Sequence, residues 1–186
     1  MKTKKVKGFT LGELIVVIAI IGVLAAILVP SMLGYVKKSK VSSANTSASS
    51  IYKALNTALT DMDGEGIDMG GTYCVEADKS TGATTEFSVS TGSGDVPAGW
   101  DGTKLYTKVK NYFEDIEKCE VYAQIVGGTC KAVAASSDST YIGTHPAVVT
   151  VDNYEAYKTA GLSEACKQAY NKAQGNTVND PSASGE

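Results

Sequence analysis

Glu13 is the side chain with the plainest chemistry in this chain of 186 residues. It is the one charge between Phe9 and Val36, and it heads a run, residues 14–29, in which every position is apolar or glycine. An ionised carboxylate is strongly disfavoured in lipid and is kept there in company with a partner. Just upstream stand Lys2, Lys4, Lys5 and Lys7, followed by a Gly8-Phe9 junction. Glycine at such a junction allows close backbone approach and unusual dihedrals.

The other reactive side chains are few. Cys74, Cys119, Cys130 and Cys166 all lie beyond the apolar run and form no CxxC pair, and the single His145 is remote from each in sequence. That spacing does not suit zinc. If the apolar run exports the residues beyond it, two disulfides are the expected use of the four cysteines. Asp61, Asp63 and Glu65 precede Gly66 at EF-hand spacing, but the twelfth position is Thr72 instead of the bidentate glutamate, so a solvated acidic turn at a helix end is the reading. No nucleophile–base–acid set, phosphate loop or catalytic carboxylate pair is present, so neither an enzyme nor a metal or cofactor is expected. All 17 basic residues are lysine and the net charge is -3. A chain without arginine and with an acidic balance does not favour nucleic acid as its ligand.

Three readings of the N-terminus compete. A basic stretch before an apolar one is the form of a secretory signal, but the run is long and ends in Pro30-Ser31-Met32 with no small-x-small cleavage site. A plain membrane anchor, with its lysines held inside, suits the length but leaves Glu13 unexplained. The third reading takes the residues together. A short lysine leader, Gly8, then Phe9-Thr10-Leu11-Gly12-Glu13-Leu14 and an unbroken apolar helix resemble a type IV prepilin. Gly22 and Pro30 fall where such chains place a glycine and a proline, and Gly12 departs from the bulky aliphatic usual in its slot. The likeness is close over about residues 1–40 and general beyond them.

The resemblance implies a sequence of events. A prepilin peptidase would cut between Gly8 and Phe9 on the cytoplasmic side and N-methylate Phe9. The new Phe9 amine of one subunit would meet Glu13 of its neighbour, an ion pair that sets axial register in a filament. Gly22 and Pro30 would mark a break in the helix within the filament. Partners implied are identical or related subunits, the peptidase, an assembly platform protein and, indirectly, an assembly ATPase. The precursor would sit in the cytoplasmic membrane and the product in an extracellular pilus, serving adhesion or motility. Pseudopilins of type II secretion or competence systems share this N-terminus, and a membrane-anchored surface binding protein is the alternative from another class.

The elements that must position these residues follow from spacing. Val41, Ala44, Ala48, Ile51, Leu55, Ala58 and Met62 step by three and four, a helical stripe. One helix is therefore expected over residues 10–62, spanning the membrane in its first half and amphipathic in its second. Strands are expected at 72–76, 85–90, 121–126, 129–134 and 147–151, a helix at 101–116, and a last helix capped by Ser163 running to about residue 172. Gly127-Gly128 signals a two-residue hairpin that pairs Val126 with Thr129 and Ile125 with Cys130. Cys119 then lies about 20 Å along the strand from Cys130, beyond the about 7 Å between Cα atoms that a disulfide tolerates. Two pairings remain open: Cys74–Cys119 with Cys130–Cys166, or Cys74–Cys130 with Cys119–Cys166.

The fold expected is α+β, a long N-terminal helix packed on a head with an antiparallel sheet. The divisions are a leader (1–8), a membrane and filament-core helix (9–36), its amphipathic continuation (37–62), a disulfide-stabilised head (63–174) and a polar tail (175–186).

Overall fold

The computed structural model describes residues 9–79, 86–90 and 94–181. Expectations that fall on residues 1–8, which include Gly8, on the start of the 85–90 strand and on the end of the tail lie outside the described residues. The chain separates into two compact units at Lys37/Lys38.

Helix α1 (Leu11–Gly64) supplies the first unit and opens the second. In the first unit its apolar side chains are exposed all round, with Ile18, Ile21, Leu24 and Leu28 each more than half accessible. A helix apolar on every face and without a partner is suited to lipid or to a bundle of its own kind. It has the length and composition to cross a membrane. From Val41 onward one stripe is buried, comprising Val41, Ala48, Ile51, Ala54, Leu55, Ala58, Leu59 and Met62. This is the stripe expected from the sequence, widened by Ala54 and Leu59, except that Ala44 is only half-buried.

The head carries a five-stranded sheet in the order β2-β1-β3-β4-β5, formed by β1 (Thr72–Ala77), β2 (Ser88–Val89), β3 (Glu120–Val126), β4 (Thr129–Ser136) and β5 (Gly143–His145). Every neighbouring pair is antiparallel. Strand alternation divides the core in two. Tyr73, Val75, Val121, Ala123 and Ile125 point to the α1 side. Ala132 and Ala134 face α3 (Tyr154–Ala173), where Tyr157, Ala165, Cys166 and Ala169 close the second core. The hairpin register is the expected one, Ile125 opposite Cys130 and Val126 opposite Thr129. Gly127 and Gly128 both have positive φ (59° and 71°), as a type I′ turn requires. A bulge at Gln124/Ile125 then shifts the pairing, so that Ala132 and not Lys131 faces Gln124.

Three elements differ from expectation. The 101–116 helix is α2 (Gly102–Tyr112), capped by Asp101 through its side-chain bond to the Lys104 N–H. It ends at Phe113, and a 3-10 turn (Glu114–Lys118) comes after it. The last helix begins earlier, at Tyr154, and is broken at Gly161 (φ 87°, ψ 174°), so Ser163 opens its second piece and not the whole. Residues 147–151 are not a strand. The last strand is β5, which stops at the cis His145-Pro146 bond. Side chains take over the backbone of the loop beyond it. Thr144 Oγ1 accepts from the Val148 N–H at 2.8 Å, Asn153 Oδ1 from Thr150 N–H at 2.7 Å, and Asn45 Nδ2 donates to Val149 O at 3.0 Å. A short apolar run alone could not distinguish such a loop from a ladder strand.

Candidate functional site

Two regions carry the functional argument, the start of α1 and the seam between its second half and the head.

At the start of α1, Thr10 is the N-cap. Its backbone N–H and its hydroxyl both donate to Glu13 Oε2, at 2.8 and 2.6 Å, and its Oγ1 accepts from the Glu13 N–H at 3.3 Å. This is a reciprocal capping box, with the glutamate three residues past the cap. Its signal is present in the sequence as Thr10-Leu11-Gly12-Glu13, and a reading of Glu13 as a lone charge passes over it. The box engages one carboxylate oxygen; Oε1 accepts no bond among the described residues. Phe9 is exposed beside it. A carboxylate in the first turn also complements the positive end of the helix dipole. Gly22 and Pro30 both lie inside continuous helix in the single chain, with open space around the position of a Gly22 Cβ. Pro30 forfeits its own N–H bond, and nearby Ser31 turns its hydroxyl to Leu28 O at 3.0 Å. The single chain therefore has no break at either residue, and the break implied by the resemblance concerns the filament alone.

In the head, two asparagines tie α1 to the sheet. Asn45 accepts from Thr144 N–H at 2.8 Å as it donates to Val149 O. Asn56 accepts from Cys130 N–H at 3.0 Å and donates to Cys130 O at 3.4 Å. Eleven residues is close to three turns, so both fall on one helix face. Sequence reasoning missed them; the available signal was two asparagines eleven apart beside the buried stripe. Beside Asn45, Gly143 lets the backbones meet: a Cβ there would stand 2.0 Å from the Ala44 carbonyl.

The same seam holds a groove of about 510 Å³. Lys38, Ser42, Thr46, Ser49 and Lys53 line it from α1, and Thr144, His145 and Thr150 from the opposite wall. The His145 ring packs on Tyr52, centroids 4.2 Å apart. Burial, and then the charge of Lys53, lower the His145 pKa below its ordinary value.

The four cysteines are present as thiols. Cys74 donates to Gln124 Oε1 at 2.9 Å. Cys130 and Cys166 both direct their sulfurs at Ala132 O, at 3.5 and 3.6 Å. Burial pushes Cys130 up to about 12 and raises Cys166 well above its ordinary value, so as thiols both are unreactive. Neither two-bond pairing left open by the sequence closes in this arrangement. Cys74 is opposite Gln124, and Cys119 lies five residues along β3 from there, about 17 Å. Cys74 and Cys130 are separated by the whole of β3, about 10 Å across two strand spacings. The registers decide this, and only one of them was legible from the hairpin.

The acidic motif lies where it was read, at the helix end, with α1 closing at Gly64 and Glu65-Gly66 forming an exposed turn. Asp61 and Asp63 belong to the last turn of α1, and Thr72 to β1. Glu65 is paired with Lys104 and Lys108, each at 2.6 Å, which hold it at about 2. Among the described residues no group of three potential metal ligands occurs.

Comparison with known proteins bears on the first region. Residues 3–29 match the family model of the prokaryotic N-terminal methylation motif. The chain is 42% identical over 57 residues to a type IV major pilin protein, PilA, of Myxococcus xanthus, covering 31% of this chain and 26% of that one. It is 46% identical over 55 residues to a type IV major fimbrial protein, FimA, of Dichelobacter nodosus, covering 30% and 35%. It is 49% identical over 51 residues to a fimbrial protein of Moraxella nonliquefaciens, covering 27% and 33%. The chain thus spans about a third or less of the length of these relatives. No solved structure matches. The motif and these relatives support a type IV pilin.

Proposed function

We propose that this chain is a structural subunit of a type IV pilus, cut between Gly8 and Phe9, N-methylated at Phe9 and polymerised through α1. The observation that carries the proposal is the start of α1. A capped helix, apolar on all faces, presents a single carboxylate at its head with one oxygen held by Thr10 and the other uncommitted. That second oxygen suits an incoming neighbour's Phe9 ammonium. Within apolar surroundings the pair is favoured because each charge alone is so unfavourable. A division of labour results. Residues 9–36 wait in the cytoplasmic membrane and later fill the filament core, residues 37–62 carry the head, and residues 63–174 face outward. Partners are like subunits, the prepilin peptidase and an assembly platform. A pseudopilus would use the same start of α1.

The test separates the two duties of Glu13. Glu13→Gln keeps a side-chain acceptor for Thr10 and removes the charge. Thr10→Ala removes the hydroxyl's two capping bonds, leaves the backbone N–H bond to Glu13, and keeps the charge. The expected outcome is normal processing of both, filaments from Thr10→Ala, and none from Glu13→Gln, as for Glu13→Ala. Normal piliation by Glu13→Gln would reduce Glu13 to a helix cap and remove the assembly role.

A further inference from the structure

The groove beside α1 is cationic in an otherwise acidic chain. Lys38 and Lys53 line it beside His145, whose lowered pKa favours the neutral ring, no carboxylate does, and neither lysine carries an ion pair among the described residues. Lys172 stands at its rim, donating to Ala147 O at 2.7 Å. Its α1 wall, residues 38, 42, 46, 49 and 53, is one helix face rich in hydroxyls.

The opposite charge sits further along the same helix. The last turn of α1 holds Asp61 and Asp63 and no basic residue. A helix C-terminus is the negative end of the dipole, so acids there are unfavourably placed. Lys104 and Lys108 are both committed to Glu65, and Asp61 is met by a neutral group, the Tyr112 hydroxyl at 2.5 Å. Asp63 is exposed and makes no side-chain bond among the described residues.

Within one molecule the two patches cannot meet. Along a helix, Lys53 and Asp63 are about 15 Å apart and Lys38 and Asp63 about 38 Å. A second copy displaced along the axis by a distance in that range brings its acidic helix end onto the first copy's groove. We infer that the groove of Lys38, Lys53 and His145 receives the Asp61–Asp63 helix end of a second copy of this chain. The contact is heterologous, so it repeats without closing and builds a filament. It also sets opposite charges against each other in subunits that repel on random approach. Their side chains total -3 in the whole chain and -7 once the four leader lysines are gone. The inference rests on the polymer proposed above and adds a specific head contact to it.

Filaments carrying Lys53→Cys with Asp63→Cys are treated with a short bismaleimide and run on a denaturing gel. The expected result is a ladder of multimers, absent from either single variant. Filaments that give no ladder overturn the contact. Charge exchange provides the second reading. Lys53→Glu and Asp63→Lys each lower filament mass about tenfold, and the two together restore it; singles at wild-type mass, or a double that stays low, overturn the inference as well. Filament formation by the wild-type chain, with its loss in Glu13→Gln, is scored in parallel, so failure of the head contact is told apart from failure of the pilus proposal.

Discussion

Replacing Asn45 tests how the long helix is held to the head. Its amide spans a gap that apolar packing cannot fill, accepting from Thr144 N–H at 2.8 Å and donating to Val149 O at 3.0 Å. Thr144 is 1% exposed and Val149 2%, so Asn45→Ala leaves a donor and an acceptor orphaned in buried backbone. Each such group costs about 1–3 kcal/mol. The groove opens on both residues, so water entering the vacated space offsets part of that, and a net loss of about 2–4 kcal/mol is expected. For a unit of this size the melting midpoint should fall by about 6–12 °C. Trp100, the only tryptophan, packs edge-on to Tyr73 at 5.4 Å in the α1-side core, so its fluorescence reports the melt of the full chain in detergent. Asn45→Asp sharpens the test. The introduced carboxylate still accepts from Thr144 but opposes the Val149 carbonyl. Its deficit relative to wild type should narrow at acid pH, when the carboxyl is protonated and can donate. A midpoint for Asn45→Ala within about 2 °C of wild type would refute the view that this bridge holds the seam, since one orphaned group alone should exceed that.

Stability should also fall as pH drops from 7 to 5. His145 titrates lower in the folded head than its ordinary value, so below about pH 6.5 the unfolded chain binds the proton more readily and gains ground. Glu65, at about 2 in the folded state, loses its contribution only as pH falls below about 4.5, outside that window. His145→Asn should therefore flatten the 7-to-5 slope of the Trp100 melt, and an unchanged slope would place the titrating group elsewhere. A non-reducing peptide map should find that any disulfide in the head includes Cys166, joined to Cys130, whose sulfur shares its carbonyl, or to Cys74, which lines the same pocket. A Cys74–Cys119 bond would contradict the β1–β3 register.

The sequence made the regular parts legible and hid the irregular ones for a physical reason. Periodicity reports burial, and the stripe from Val41 to Met62 and the alternation of β3 are burial patterns. The hairpin register was readable because two adjacent glycines fix both turn type and pairing. Residues 147–151 read as a short apolar run, yet their hydrogen bonds go to Thr144, Asn153 and Asn45. Two polar side chains flanking the loop and one from α1, Asn45, decide it, and apolar spacing announces none of them. The same holds for Phe113, where α2 ends although the apolar spacing continues into Ile116.

Glu13 carries two readings at once. Read for charge, it is an ion-pair partner awaiting a neighbour; read for local geometry, Thr10-Leu11-Gly12-Glu13 is a capping box. The two are compatible, because the cap engages one oxygen and leaves the other for the proposed salt link. Capping also fixes the side chain before any partner arrives, so less rotamer freedom is lost on pairing. An uncapped glutamate at the same place would be free to swing toward the membrane surface. In the polymer proposed above, the cap therefore serves assembly as well as the helix. Thr10→Ala filaments should accordingly form more slowly than wild-type ones while reaching the same structure, and equal rates would show that the carboxylate needs no such orientation.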